Sequence, residues 1–272
     1  DAVFAGFAGA GNGSWRAFRA QDGTQLWAHA GDARVDPSSA YFGDRLLIAA
    51  GETVAALRAA DGVALWRAQI PAARETSSPV VRDGTLFVSA TPARTVAIDP
   101  DTGRTRWSAP YGSAGCTPAV AQRLVFVEDR TAVAALDERT GAVRWRVAIP
   151  EGIRSSVGSK ATAAAGAYDG GVLFQSIPGN STVAAFRAAD GHVEWSVRTS
   201  APVKMSGAIA GGDLYVGDTI GVVYRIDERT GGVRAALPFD QPYSASPPLV
   251  LGTTLVVGDG IYLRAISQKT FQ

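Results

Sequence analysis

The sequence predicts an all-β fold, a β-propeller built from four-stranded antiparallel blades, and two observations carry that prediction. A segment of the form Ala-x-x-x-x-(Asp/Thr)-Gly-x-x-x-Trp, or close to it, recurs six times along the 272 residues. Between these segments lie short runs of β-forming residues separated by Gly or Asp turns, and no long window has helical periodicity. A repeat of roughly 40 residues that supplies four strands has the length and strand count of a propeller blade.

The repeat is regular in both spacing and composition. The intervals between its glycines are 39, 41, 38, 50 and 40 residues, and five of the six tryptophans lie four positions after a repeat glycine. A large ring that recurs once per blade predicts a packing role between neighbouring blades, because features shared by all repeats usually serve stacking. The predicted structural docking set is Gly23, Trp27, Gly62, Trp66, Gly103, Trp107, Gly141, Trp145, Gly191, Trp195 and Gly231.

The turn before each tryptophan has a local chemical reason. An Asp-Gly or Thr-Gly pair between the third and fourth strands, C and D, places glycine where positive φ is needed, and the Asp or Thr side chain can bond back to the turn amides. The sixth segment ends in Ala235 in place of tryptophan. The sixth blade is therefore expected to be the weakest in this packing.

The repeats divide the chain into blades within one domain, residues 1–272. The first blade has strands B, C and D, and the last has strands A, B and C, which favours seven blades, with eight or six as alternatives. A propeller pairs its termini because an open ring leaves unpaired strand edges. The predicted blades are 3–30, 38–70, 77–110, 115–149, 156–199, 204–239 and 245–267.

The composition argues against several functional classes. The chain has 26 basic and 25 acidic residues, so no bulk charge indicates nucleic acid or an anionic membrane surface. Cys116 is the single cysteine, and His29 and His192 are the two histidines, which leaves little for a metal centre or a catalytic triad. No stretch approaches the roughly 20 apolar residues of a transmembrane helix. We expect no metal, no cofactor and no catalytic residues.

The candidate binding face lies where variable loops gather. In a four-stranded blade the D–A and B–C connections share one end, opposite the repeated glycine turns, and variable loops on a rigid scaffold often carry function. The candidate residues on this face are Arg34, Asp36, Arg74, Glu75, Arg94, Tyr111, Glu128, Arg130, Arg154, Lys160, Lys204, Asp218 and Tyr243. For Asp218, which follows a strand-end glycine, an Asx-type turn is the alternative interpretation.

The repeat resembles the tryptophan-docking repeat of quinoprotein-type propellers, the pyrroloquinoline-quinone-like (PQQ-like) family, over essentially the whole chain. This resemblance first suggests a quinone-dependent dehydrogenase. Similar enzymes are longer, hold calcium beside the quinone with a carboxylate and an amide, and often carry a vicinal cysteine pair. This chain has one cysteine and no loop that concentrates such oxygen ligands, so a dehydrogenase is the less favoured hypothesis.

The same resemblance implies two non-catalytic functions. Similar repeats form the extracytoplasmic sensor domains of membrane-bound bacterial Ser/Thr protein kinases, and this hypothesis leads: the loop-rich face would capture a small ligand or a protein. The alternative is a cell-envelope scaffold similar to outer-membrane assembly lipoproteins. Both imply a cell-surface or envelope location, with membrane attachment only through a segment outside this sequence. The residues upstream of Asp1 would discriminate between them.

Overall fold

Apolar runs of the repeat form the strands in the computed structural model of the chain. The structure describes residues 1–7, 13–31, 38–129, 131–149, 165–177, 181–204, 206–239, 247–258 and 263–267. Within these ranges all regular secondary structure is β-strand, which confirms the predicted all-β class. No helix in them is long and apolar enough to cross a membrane.

The chain packs as two compact units, the first comprising Asp1–Val120 with Asp137–Ala142 and the second Ala121–Leu136 with Val143–Gln272. The first three sheets lie in the first unit. Sheet 1 has the order β1-β2-β3 and sheet 2 the order β4-β5-β6-β7. Their strands are β1 (Ala2–Phe7), β2 (Ser14–Arg19), β3 (Gln25–Ala30), β4 (Ala40–Phe42), β5 (Arg45–Ala50), β6 (Thr53–Arg58) and β7 (Ala64–Gln69).

Sheet 3 differs from the predicted four strands because its innermost strand is split in two. Both short pieces pair antiparallel with the same neighbour, so the sheet has five strands. Ser77 and Pro79 lie in the interruption, where proline has no N–H for a ladder and the Ser77 hydroxyl accepts a hydrogen bond from the Ser89 amide at 3.0 Å. The strands are β8 (Glu75–Thr76), β9 (Val80–Arg82), β10 (Thr85–Thr91), β11 (Arg94–Ile98) and β12 (Thr105–Ala109).

Sheets 4 to 6 are four-stranded, in consecutive order, and sheet 7 has three strands. Sheet 4 contains β13 (Ala119–Ala121), β14 (Leu124–Asp129), β15 (Ala132–Asp137) and β16 (Val143–Ala148), and sheet 5 contains β17 (Ala167–Asp169), β18 (Val172–Ile177), β19 (Thr182–Arg187) and β20 (Val193–Arg198). Sheet 6 contains β21 (Ala208–Ala210), β22 (Asp213–Gly217), β23 (Val222–Asp227) and β24 (Val233–Pro238), and sheet 7 contains β25 (Leu249–Leu251), β26 (Thr254–Gly258) and β27 (Leu263–Ser267).

Burial follows the position of each strand in its sheet. The central strands, such as β5 and β6, are buried over four consecutive residues, whereas the fourth strand of a sheet, such as β7, has mostly exposed and half-buried residues. Near-continuous apolar runs are typical of strands that are covered on both faces. The core therefore lies between the central strands of neighbouring sheets within each unit.

Each repeated tryptophan packs on the glycine turn of the next repeat. The ring of Trp107 leaves no room for a side chain at Gly141, whose added Cβ would lie 2.6 Å from the ring, and the φ of Gly141 is +72°. The Trp107 indole N–H also donates to the Glu138 carbonyl at 2.9 Å. Equivalent indole bonds join Trp27 to Ala59, Trp66 to Pro100, Trp145 to Ala188 and Trp195 to Glu228.

Candidate functional site

Four of the candidate residues meet at the loop end of sheet 3. Glu75 lies opposite Thr91 at the end of β10, and Arg94 lies opposite Ala90 across the following turn. The Arg74 amide donates to the Thr91 carbonyl at 2.7 Å. The structure thus joins the D–A linker to the B–C turn at one end of this sheet.

A network of buried hydroxyls holds this loop end in place. The hydroxyls of Ser89 and Thr95 lie 2.9 Å apart, and Thr95 donates to the Tyr111 carbonyl at 2.8 Å. A Cβ at Gly112 would lie 2.5 Å from the Thr95 hydroxyl, so glycine allows the linker to come this close. The sequence does not predict Ser89 and Thr95 as site residues, because a single hydroxyl side chain in an apolar strand follows no pattern that marks a functional site.

Lys204 and Asp218 belong to a second loop end, at sheet 6. Asp218 is 0% exposed, and its carboxylate accepts hydrogen bonds from the Tyr224 hydroxyl at 2.9 Å and from the Ala201 amide at 3.2 Å. The amides of Ile220 and Val222 donate to its other oxygen. The bond from Ile220 is the Asx-type turn that was the alternative interpretation, and all four donors come from the protein itself.

Glu128 lies near the end of β14 and is 5% exposed. One of its carboxylate oxygens, Oε2, is buried without a hydrogen-bond partner. Burial, with a smaller contribution from the carboxylate of Asp129, raises the pKa of Glu128 from its ordinary value of 4.5 to about 8. A buried carboxyl that lacks its hydrogen bonds is costly to the fold and is a common mark of a functional site.

The other candidates lie outside the described residues. They are Arg34, Asp36, Arg130, Arg154, Lys160 and Tyr243. Their assignment to the binding face stays a prediction.

A groove of about 430 Å³ runs between the outer strands of sheets 4 and 5. Sheet 4 contributes Val133, Val147 and Ile149, and sheet 5 contributes Ile177, Ala184 and Phe186, with Arg198 among the polar lining residues. Small-molecule sites typically measure about 300 to 1,000 Å³, with a mostly apolar lining and a few polar groups. The groove has the size and the chemistry of such a site.

The corresponding space between sheets 1 and 2 is nearly filled. Trp15 and Val133 occupy equivalent positions, because each lies two residues before the alanine that faces a repeat tryptophan, Ala17 and Ala135 respectively. The indole of Trp15 is 2% exposed, and the space it lines has a volume of about 20 Å³. The same position is valine in sheets 2, 5 and 6, as Val54, Val183 and Val223. Trp15 is therefore the departure from the repeat, and its ring nearly fills the space between sheets 1 and 2.

Glu128 lies on the face of sheet 4 that lines the groove. Phe126, two residues earlier on β14, packs against Trp145 and against Tyr168 of sheet 5, with ring centroids 6.0 Å apart in both pairs. Residues two apart on a strand point to the same face, so Glu128 also faces sheet 5. β14 and β15 are neighbours in the sheet and close in sequence, so Glu128 lies near Val133, beside the residues that line the groove.

Sheet 5 has a second buried polar side chain on the face that borders the groove. Gln175 is 2% exposed and lies opposite Ala184, which lines the groove. Paired residues in a ladder share a face, so Gln175 is directed towards sheet 4. Gln175 is not among the predicted site residues. The feature that marks it in the sequence is a polar residue inside an otherwise largely apolar strand.

The residues that the structure describes do not form a site that fits the quinone and calcium of quinoprotein dehydrogenases. Cys116 is the single cysteine of the sequence and is buried, and among the described residues no three His, Cys, Asp or Glu side chains gather as metal ligands would. The buried carboxylate of Asp218 is already occupied by protein donors. No reaction step through such a group can be derived from these residues.

Repeated sheets, five of which place a tryptophan on the next glycine turn, define a protein of the PQQ-like propeller repeat class. The chain belongs to the family described as outer membrane protein assembly factor BamB, whose model matches residues 3–147 and 129–270. The serine/threonine-protein kinase AfsK of Streptomyces griseus is 28% identical to it over 220 residues, which is 77% of this chain and 22% of the kinase. The chain thus spans under a quarter of the length of this curated relative.

Two solved structures share the fold. BamB from Moraxella catarrhalis superposes with a TM-score of 0.78 at 14% identity, covering 99% of this chain and 87% of BamB. The quinohemoprotein alcohol dehydrogenase ADHIIG from Pseudomonas putida HK5 superposes with a TM-score of 0.66 at 18% identity, covering 85% of this chain and 48% of the enzyme. At these identities the likeness shows the fold alone.

Proposed function

We propose that this chain is a non-catalytic binding propeller and serves as the extracytoplasmic sensor domain of a membrane-bound Ser/Thr protein kinase. The observation that carries the binding function is the 430 Å³ apolar groove with the buried Glu128 on the same face. The partial match to a Ser/Thr kinase supports the coupling to a kinase. Ligand capture would change the association of the attached kinase domains.

The proposed architecture is a single seven-bladed ring over residues 1–272. It is supported by the seven sheets in the described residues, of which the first and the last have three strands. The proposed location is the cell surface, with the membrane anchor in a segment outside this sequence.

The kinase coupling is tested on the full-length gene product. Its reading frame is expected to encode a kinase catalytic domain and a transmembrane segment before Asp1. Autophosphorylation of the full protein is then compared with that of a variant from which residues 1–272 are removed. A reading frame without a kinase domain, or autophosphorylation that ignores the removal under all ligand conditions, refutes the sensor function.

A cell-envelope scaffold is the second candidate, because the family is described by an outer-membrane assembly factor. A lipid-modified cysteine upstream of Asp1 and capture of envelope proteins at the loop ends would favour it. Calorimetry with pyrroloquinoline quinone and calcium tests the dehydrogenase alternative, and tight binding would overturn the non-catalytic proposal.

A further inference from the structure

A buried carboxyl without a hydrogen-bond partner lies beside the groove between sheets 4 and 5, and a ligand in the groove could supply that partner. Its walls are mostly apolar, yet the buried Glu128 carboxyl lies on the same face, one strand inward of Val133. Oε2 of Glu128 has no hydrogen-bond partner in the protein. Leaving such a buried polar atom unpaired costs about 1–3 kcal/mol, and more when the group is charged.

The charged groups around Glu128 indicate the sign of the missing partner. Asp129, adjacent on β14, adds negative charge. The strand β18 of sheet 5 presents the neutral Gln175, and β17 presents Tyr168, whose pKa is raised by burial. Arg198 on β20 is exposed to solvent and lines the groove. Among the described residues, the buried ionisable side chain on this face of sheet 4 is therefore an acid.

We propose that this groove binds a small molecule with an apolar body and a cationic nitrogen, with the nitrogen at Glu128 and the apolar body against Val133, Ala184 and Phe186. The proposal rests on the binding function proposed above and names the ligand chemistry of that function. A bound ammonium group would supply both the hydrogen-bond donor and the positive charge that Glu128 lacks. Charge-assisted hydrogen bonds of this kind are roughly twice as strong as neutral ones.

The test uses two probes of matched shape, phenethylamine and phenethyl alcohol, with the whole chain. Their binding is measured by NMR titration and by calorimetry near neutral pH. The amine is expected to bind at least about tenfold more tightly than the alcohol. Because Glu128 is mostly protonated in the free protein, amine binding is also expected to release close to one proton, seen as a dependence of the heat on the buffer.

Three variants separate the contributions. Glu128→Gln is expected to keep alcohol binding and to lose both the preference for the amine and the proton release. Val133→Trp places in the groove the side chain that already fills the space between sheets 1 and 2, and is expected to weaken both probes. Ala184→Leu obstructs the same wall if Val133→Trp fails to fold. Glu52→Gln, at an exposed turn of sheet 2, is the matched control and is expected to change nothing.

Equal affinity for the two probes, an amine preference that survives Glu128→Gln, or no binding of either probe at millimolar concentration would each overturn the inference. The kinase measurement described above separates this result from the sensor function. If the full protein responds through residues 1–272 but the groove binds no amine, the ligand inference fails and the sensor function stands. If the groove binds the amine but the reading frame has no kinase domain, the sensor function fails and the ligand inference stands.

Discussion

Replacing Glu128 by glutamine should stabilise the protein above neutral pH and remove a pH dependence from its stability. Burial raises the pKa of Glu128 to about 8, against 4.5 for its ordinary value. Between these two values the folded chain holds a proton that the unfolded chain releases. The stabilisation of the protonated form is therefore complete below pH 4.5 and is lost as the pH rises towards 8.

The size of the effect follows from the shift. Each pH unit inside the window changes the free energy of unfolding by about 1.4 kcal/mol, so the whole window corresponds to at most about 5 kcal/mol. Glutamine has nearly the same shape and cannot ionise. The variant should match the parent chain below about pH 5 and exceed its stability by several kcal/mol at about pH 8.

Urea denaturation at a series of pH values measures this difference, with the midpoint and slope fitted at each pH. Glu52→Gln, at an exposed turn, serves as the control and should leave the pH profile of the parent unchanged. If Glu128→Gln and the parent chain lose stability in parallel between about pH 5 and pH 8, the buried placement of Glu128 is wrong.

Three further predictions concern packing. The added Cβ of Gly141→Ala would lie 2.6 Å from the Trp107 ring, whereas that of Gly23→Ala has a similar positive φ and no atom within 4 Å. In thermal denaturation Gly141→Ala should therefore lower the free energy of unfolding by about 1–3 kcal/mol more than Gly23→Ala. Equal losses of stability in the two variants would contradict the ring contact. Trp107→Ala should lower the free energy of unfolding by about 3–5 kcal/mol. A decrease below about 1 kcal/mol in urea denaturation would refute the packing role of Trp107. Asp218→Ala leaves three amides and the Tyr224 hydroxyl without their acceptor. It should lower the free energy of unfolding by at least about 3 kcal/mol, and an unchanged urea midpoint would refute this prediction.

The repeated parts of the fold could be predicted from the sequence because they depend on neighbours within one period. The glycine turns need positive φ at fixed positions, and the structure has φ values of 71° to 76° at Gly23, Gly62, Gly103, Gly141, Gly191 and Gly231. The apolar runs between the turns form strands wherever the structure describes them. Local chemistry, repeated six times, was enough for these features.

The candidate site was less predictable because it depends on what two neighbouring sheets place opposite each other. The sequence predicts Glu128 to be a loop residue, but in the structure it lies near the end of β14 and its side chain is buried. For Asp218 the sequence predicts the Asx-type turn bond from Ile220, whereas the bonds from Ala201 and Tyr224 join other segments and appear only in the fold. The groove depends on how the side chains of sheets 4 and 5 pack together, because the residue equivalent to Val133 is also valine in sheets 2, 5 and 6, as Val54, Val183 and Val223.

The tryptophan contact gives the chain a direction. Each ring comes from one repeat and each glycine turn from the repeat that follows it, as in Trp66 on Gly103 and Trp107 on Gly141. Loss or duplication of one whole period would therefore leave every surviving ring facing a turn of the same kind, with no new interface to evolve. Chains of this design can change length in steps of one repeat, while specificity changes at the few positions, such as Trp15, that break the pattern.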